Sequence, residues 1–162
     1  AEGRPFKGCL YFGLMLTQDG PKVIEYNCRF GDPETQVVLP RLKTDFIDIL
    51  EAVREERLAE LPIEWSEDAC ACVVMASGGY PAAYRKGLPI HGLDEKGQVP
   101  GAVVYHAGTR YDNERFFTNG GRVLGVTASA STLEEALDKA YEAVARIDFE
   151  GAHYRRDIGK TK

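Results

Sequence analysis

The sequence predicts an α+β protein in two lobes, each a group of strands followed by a helix. Three observations carry this. Two strand-length runs flank an Asp-Gly-Pro turn near the start, a helical period sets in at residue 45, and further strand-like runs between 69 and 130 end in a capped amphipathic helix. Strands grouped ahead of a helix, rather than alternating with helices one by one, suit antiparallel or mixed sheets.

The elements follow in order. Residues 8–16, GCLYFGLML, form a continuous apolar run of strand length, and residues 22–30, KVIEYNCRF, form a second. Between them Thr17-Gln-Asp-Gly-Pro21 is a strong turn signal, so the pair reads as an antiparallel hairpin. After the loop Gly31–Gln36, Pro40 is placed to break or kink a short helical stretch. From Asp45, Phe46, Ile49, Leu50 and Val53 recur at helical spacing until Leu61-Pro62 stops the helix. The composition changes at residues 62–68, and the domain boundary is expected there, dividing the chain into 1–64 and 65–162. The second lobe opens on the apolar strand 69–76 and the turn Ser77–Pro81. Further strands are expected at 102–107 and 122–130, with loops and short strands between 82 and 101. The last element is a helix over 132–147. Thr132 and Glu135 make its capping box, and Leu133, Leu137, Ala140, Tyr141 and Val144 its apolar stripe.

Composition narrows the functional classes. A net charge of −5 supplies no electrostatic reason for a nucleic-acid partner. No apolar run approaches the roughly 18 residues of a membrane span. The four cysteines include no C-x-x-C pair and are read as reduced thiols of a cytoplasmic protein. His91 and His153 show no partner at catalytic spacing, and His106, in a strand, reads as a packed, hydrogen-bonded side chain rather than a base.

Chemistry concentrates on residues 22–36. Alternation with a period of two puts Ile24, Tyr26, Cys28 and Phe30 on one apolar face of the second strand. Glu25, Asn27 and Arg29 take the other. A carboxylate and an amide oxygen are hard ligands of the kind Mg²⁺ prefers, with substrate phosphates completing its shell. A neighbouring arginine can grip a phosphate or carboxylate bidentately. Alternation alone favours a strand whose outer face is simply hydrated.

The adjoining loop adds a second signal. Arg29-Phe-Gly-Asp-Pro-Glu-Thr-Gln36 resembles the signature of the glycinamide ribonucleotide synthetase family of ATP-grasp ligases. Leu10–Met15, Val74–Pro81, His106–Thr109, Thr118–Leu124 and Asp157–Gly159 resemble other segments of that family, so the likeness covers essentially the whole chain. One departure is Ala82, where the family commonly has glycine after the proline.

The resemblance implies the last part of an ATP-grasp lobe, a hairpin plus helix, followed by a small α+β C-terminal domain. It implies ATP, glycine and 5-phosphoribosylamine as substrates, and Mg²⁺ or Mn²⁺ as cofactor. Glycyl phosphate forms first and the amine then captures it. Carried over by position, Glu25 and Asn27 are the metal ligands and Arg29 a catalytic partner of a phosphate or the reacting carboxylate. Asp32 is a substrate contact or a cap for the following helix, and Glu34 complements that helix's dipole. The chain opens Ala-Glu-Gly-Arg-Pro without Met, and no lysine-bearing strand or glycine-rich phosphate loop precedes residue 1. It is therefore expected to be a piece of a longer ligase, inactive alone and partnered by the N-terminal part of the same enzyme. Two other readings stay open: an ATP-grasp ligase for a different acid and amine, and a binding or assembly module without catalysis.

Overall fold

The computed structural model describes residues 2–160 and has the α+β character expected. The chain divides into two compact units, one ending at Ser66 and the other beginning at Glu67.

In the first unit β1 (Tyr11–Thr17) and β2 (Gly20–Asn27) form an antiparallel hairpin. Gly20, at φ +93°, follows the Gln18-Asp19 turn in a conformation that side chains disfavour. Both strands are offset from their expected limits. Tyr11 pairs with Asn27, and the chain bends at Cys28-Arg29, so neither Gly8–Leu10 nor Arg29 belongs to the ladder. A bulge also interrupts the register: Gly13 pairs with Glu25, but Leu14 pairs with Val23. Ile24 is thus the extra residue, and Val23 takes the place expected for it beside Tyr26. After the loop come a four-residue helix α1 (Thr35–Val38) and a 3-10 turn at Leu39–Arg41 that contains Pro40. Helix α2 (Phe46–Arg54) is capped by Asp45, whose carboxylate accepts from Ile47 N at 2.8 Å. It ends just after the last periodic residue, Val53, and well before the expected stop at Leu61-Pro62, with Glu56 at φ +61° before a second 3-10 turn at Leu58–Glu60.

The second unit is built on β3 (Ala69–Ala76), β4 (Val103–His106) and β7 (Arg122–Ala130), antiparallel in the order β3-β7-β4. Helix α3 (Leu133–Val144) starts where the capping signal lies, with Glu135 N donating to Thr132 Oγ1 at 3.2 Å. Its Ala136, Ala140 and Ala143 are buried against the sheet, small enough to let the two backbones approach closely. Val73, Met75, Val104, Leu124, Val126, Val144 and Phe149 fill the core between them. Burial of each such side chain contributes about 1.5–3 kcal/mol. The hairpin of β5 (Thr109–Asp112) and β6 (Arg115–Thr118) was not expected from the sequence. Its four-residue strands are too short for a periodicity signal, and its turn uses Asn113 and Glu114 at positive φ instead of glycine.

The two units differ in how well they bury themselves. Most of the exposed large apolar side chains lie before residue 66. Cross-strand partners share a face, so Phe12, Leu14, Leu16, Val23 and Tyr26 make one apolar face of the hairpin. Leu16 is 83% exposed and the other four are 50–60% exposed. A bare two-stranded ribbon with such a face is marginal in water and prone to pairing. We expect the isolated chain to self-associate at micromolar concentrations and to enhance the fluorescence of a dye that reports apolar surface. Leu16→Glu with Val23→Lys should suppress both. A monomer in sedimentation at high concentration, without dye binding, would contradict this.

Candidate functional site

The face of the hairpin opposite the apolar one carries Tyr11, Gly13, Glu25 and Asn27, as two cross-strand pairs. Glu25 and Asn27 touch: Asn27 Nδ2 donates to Glu25 Oε1 at 3.0 Å. That bond leaves the amide oxygen of Asn27 pointed elsewhere and one Glu25 oxygen outside the pair. Gly13 makes room for this arrangement, since a Cβ there would lie 2.9 Å from Glu25 Cγ. The donor set, one carboxylate and one amide carbonyl, has the hard-oxygen chemistry that Mg²⁺ or Mn²⁺ takes. Among the described residues no group of three or more His, Cys, Asp or Glu is placed to hold a metal. Two protein oxygens suit a cation shared with substrate phosphates.

Arg29 stands differently from its expected placement. The bend at Cys28-Arg29 ends the alternation, so Arg29 does not share the strand face of Glu25 and Asn27. Its Nη1 donates to the neighbouring Phe30 carbonyl at 2.9 Å, and the side chain is exposed.

The loop returns toward β1. Thr35 N donates to Gly31 O at 3.0 Å, and the Thr35 hydroxyl donates to the same carbonyl. Asp32 Oδ1 accepts from Gln36 Nε2 at 2.8 Å across one helical turn. Glu34 is the first residue of α1's cap but makes no side-chain capping bond. Its carboxylate instead lies over Gly31, beside the edge of the Tyr11 ring. A Cβ at Gly31 would collide with a Glu34 carboxylate oxygen and lie 3.1 Å from Tyr11 Cε2, so only glycine leaves this crossing open. Partial burial pushes the Tyr11 hydroxyl above its ordinary pKa, and the neighbouring carboxylates of Glu34 and Glu25 push it further up. Sequence reading had noted Tyr11 only as part of an apolar run. Its role emerges from the hairpin register, which sets it opposite Asn27.

In the second unit His106 is hydrogen-bonded as expected but exposed rather than packed, at the end of β4. The His106 ring nitrogens lie 3.1 Å from Thr109 Oγ1 and 2.9 Å from the Gly97 carbonyl, so both are engaged. A cavity of about 820 Å³ lies between α3 and residues 154–160, lined in part by Leu137, Tyr141, Tyr154 and Arg156. None of the signature residues lines it. No helix among the described residues is long and apolar enough to cross a membrane.

Residues 70–161 match the phosphoribosylglycinamide synthetase C domain, which is more than half of the chain. The chain belongs to the phosphoribosylglycinamide synthetase family. Residues 1–35 match the ATP-grasp (A) domain of the same synthetase, and this stretch includes Glu25, Asn27 and Arg29. The synthetase relatives are similar throughout. The phosphoribosylamine–glycine ligase of Caldanaerobacter subterraneus subsp. tengcongensis is 52% identical over 97% of this chain. The trifunctional purine biosynthetic protein adenosine-3 of Gallus gallus is also 52% identical, over 98% of the chain. The crystal structure of phosphoribosylamine–glycine ligase from Thermotoga maritima superposes with a TM-score of 0.76 at 38% identity, covering 91% of this chain and 36% of that one. The chain spans 37% of the Caldanaerobacter ligase and 16% of the Gallus protein.

Proposed function

We propose that this chain forms the metal-binding end of the ATP-grasp site, together with the C domain, of a phosphoribosylamine–glycine ligase. That enzyme joins glycine to 5-phosphoribosylamine, giving glycinamide ribonucleotide, ADP and phosphate in purine biosynthesis. The observation that supports this best is the Glu25–Asn27 pair beside the loop 29–36, within a stretch matched by the synthetase A domain.

Glu25 and Asn27 are the side chains that would hold Mg²⁺ or Mn²⁺. A cation bound there supplies charge neutralisation for ATP phosphates. Arg29, exposed at the bend, is assigned to a phosphate or the reacting carboxylate once substrate fills the site. Asp32, anchored by Gln36, is assigned to substrate contact. Phosphoryl transfer to a carboxylate and capture of the acyl phosphate by an amine depend on positioning and charge stabilisation. The loop and hairpin offer fixed oxygens and a cation for that purpose rather than a nucleophile. The four free thiols accord with a cytoplasmic setting.

The test uses a hybrid: the Caldanaerobacter ligase with this chain in place of its own matching stretch. It should release ADP only when glycine and phosphoribosylamine are both present. ADP release that follows another acid and amine, and ignores glycine, would reject the assignment.

A further inference from the structure

Gln36 closes the signature loop, and its side-chain amide is used at one end and stranded at the other. Nε2 donates to Asp32 Oδ1 at 2.8 Å. Oε1 is buried and has no hydrogen-bond partner among the described residues. A buried acceptor left unpaired is destabilising, and few native side chains keep one. An apolar side chain of similar volume would remove that penalty, so what the amide offers here is its donor end. The backbone of the loop is held without it. Thr35 N and the Thr35 hydroxyl both donate to Gly31 O, and Gln36 N donates to Pro33 O at 3.3 Å. What the amide adds is the orientation of the Asp32 side chain, which is exposed.

We infer that Gln36 is a positioning residue, its amide orienting the Asp32 carboxylate to accept the N–H groups of an amino substrate. The inference rests on the proposed substrate contact of Asp32 and deepens it by naming the group received. Charge sorts the candidates. The phosphates of ATP and the carboxylate of glycine are anionic, and Asp32 repels them. The ammonium of glycine and the amine of phosphoribosylamine are donors that a carboxylate accepts. One bond does not exhaust an acceptor with about four lone-pair sites, so Asp32 can serve Gln36 and a substrate together. A neutral amide orients the carboxylate without cancelling its charge, as a lysine in its place would.

The experiment varies ATP, glycine and phosphoribosylamine in turn with the hybrid ligase and its variants, each melted first as a check of folding. Gln36→Leu removes the donor and the stranded oxygen together. It should raise KM for one amino substrate about tenfold, the scale of one hydrogen bond to a charged group. Its kcat should stay within about twofold of the parent, because the reacting atoms are untouched. KM for ATP should not move. Gln36→Glu keeps the volume but sets a second carboxylate against Asp32. It should show at least the same rise, and it carries the test if the leucine variant misfolds. A rise confined to glycine identifies its ammonium as the group received; one confined to phosphoribosylamine identifies its amine. Gln36→Leu combined with Asp32→Asn should be no more than about twofold worse than Asp32→Asn alone, because Gln36 acts through Asp32. Unchanged KM for both amino substrates in the folded Gln36 variants overturns the inference, as does an equal rise in KM for ATP. Asp32→Asn alone separates the two levels. If it raises KM for an amino substrate and the Gln36 variants do not, the substrate contact stands and Gln36 is removed from it. If it leaves both unchanged, the substrate contact of Asp32 fails and this inference falls with it.

Discussion

Replacing Glu25 with alanine in the hybrid ligase is expected to lower turnover by about 10²–10³. Glu25 contributes the charged half of the donor pair, and loss of one electrostatic partner where negative charge develops is typically worth that much. Asn27→Ala should also impair turnover, by a smaller factor. It removes a neutral oxygen, and with it the amide donor that now holds Glu25 Oε1 at 3.0 Å. Both variants should shift the Mg²⁺ dependence of the rate to higher concentration. Tyr26→Phe is the control, since Tyr26 pairs with Phe12 on the opposite face of the hairpin, their ring centroids 5.1 Å apart. Its Mg²⁺ dependence should match the parent. Each variant needs a folding check by melting before its rate is read. Normal turnover and normal Mg²⁺ titration in both alanine variants would remove Glu25 and Asn27 from the metal site.

The 162 residues by themselves are expected to form no ADP from ATP, glycine, phosphoribosylamine and Mg²⁺, an effect larger than that of any single substitution. The A-domain match covers residues 1–35, and the chain spans 37% of the Caldanaerobacter ligase. An ATP-grasp site closes on its nucleotide from two lobes, and on the proposed reading the hairpin is one wall of it. Effective catalysis of phosphoryl transfer needs reactants held in near-attack geometry, which one wall does not impose. A coupled assay for ADP against a no-protein control decides the matter. Steady glycine-dependent turnover by the isolated chain would show that these residues form a working site alone. Restoration of activity on adding the N-terminal part of the relative as a separate chain would support the proposed place of the hairpin in that site.

Local chemistry made part of this protein legible from its sequence. The Asp-Gly turn, the Thr132 cap and the apolar stripe of α3 depend on neighbours one to four residues away, and they stand where the residues put them. The Glu25–Asn27 pairing was legible for the same reason, because alternation over two residues survives inside a strand. The family was legible in an unbroken eight-residue run, Arg29 to Gln36, which does not depend on geometry.

Tertiary structure decided the rest. Whether alternation continues to Arg29 depends on where the ladder ends, and pairing with Tyr11 ends it at Asn27. The bulge at Ile24 is a property of two strands together, so neither run of residues announces it. Glu34 followed its fold rather than its place in the chain. Twenty-three positions separate it from Tyr11 in sequence, and only the closed hairpin brings the ring to it. The short hairpin β5–β6 likewise exists through its partner strand and a turn of two positive-φ residues, not through any periodicity of its own. Local rules specify the elements and their caps; the register between strands specifies which side chains meet, and the chemistry of this site lies in that register.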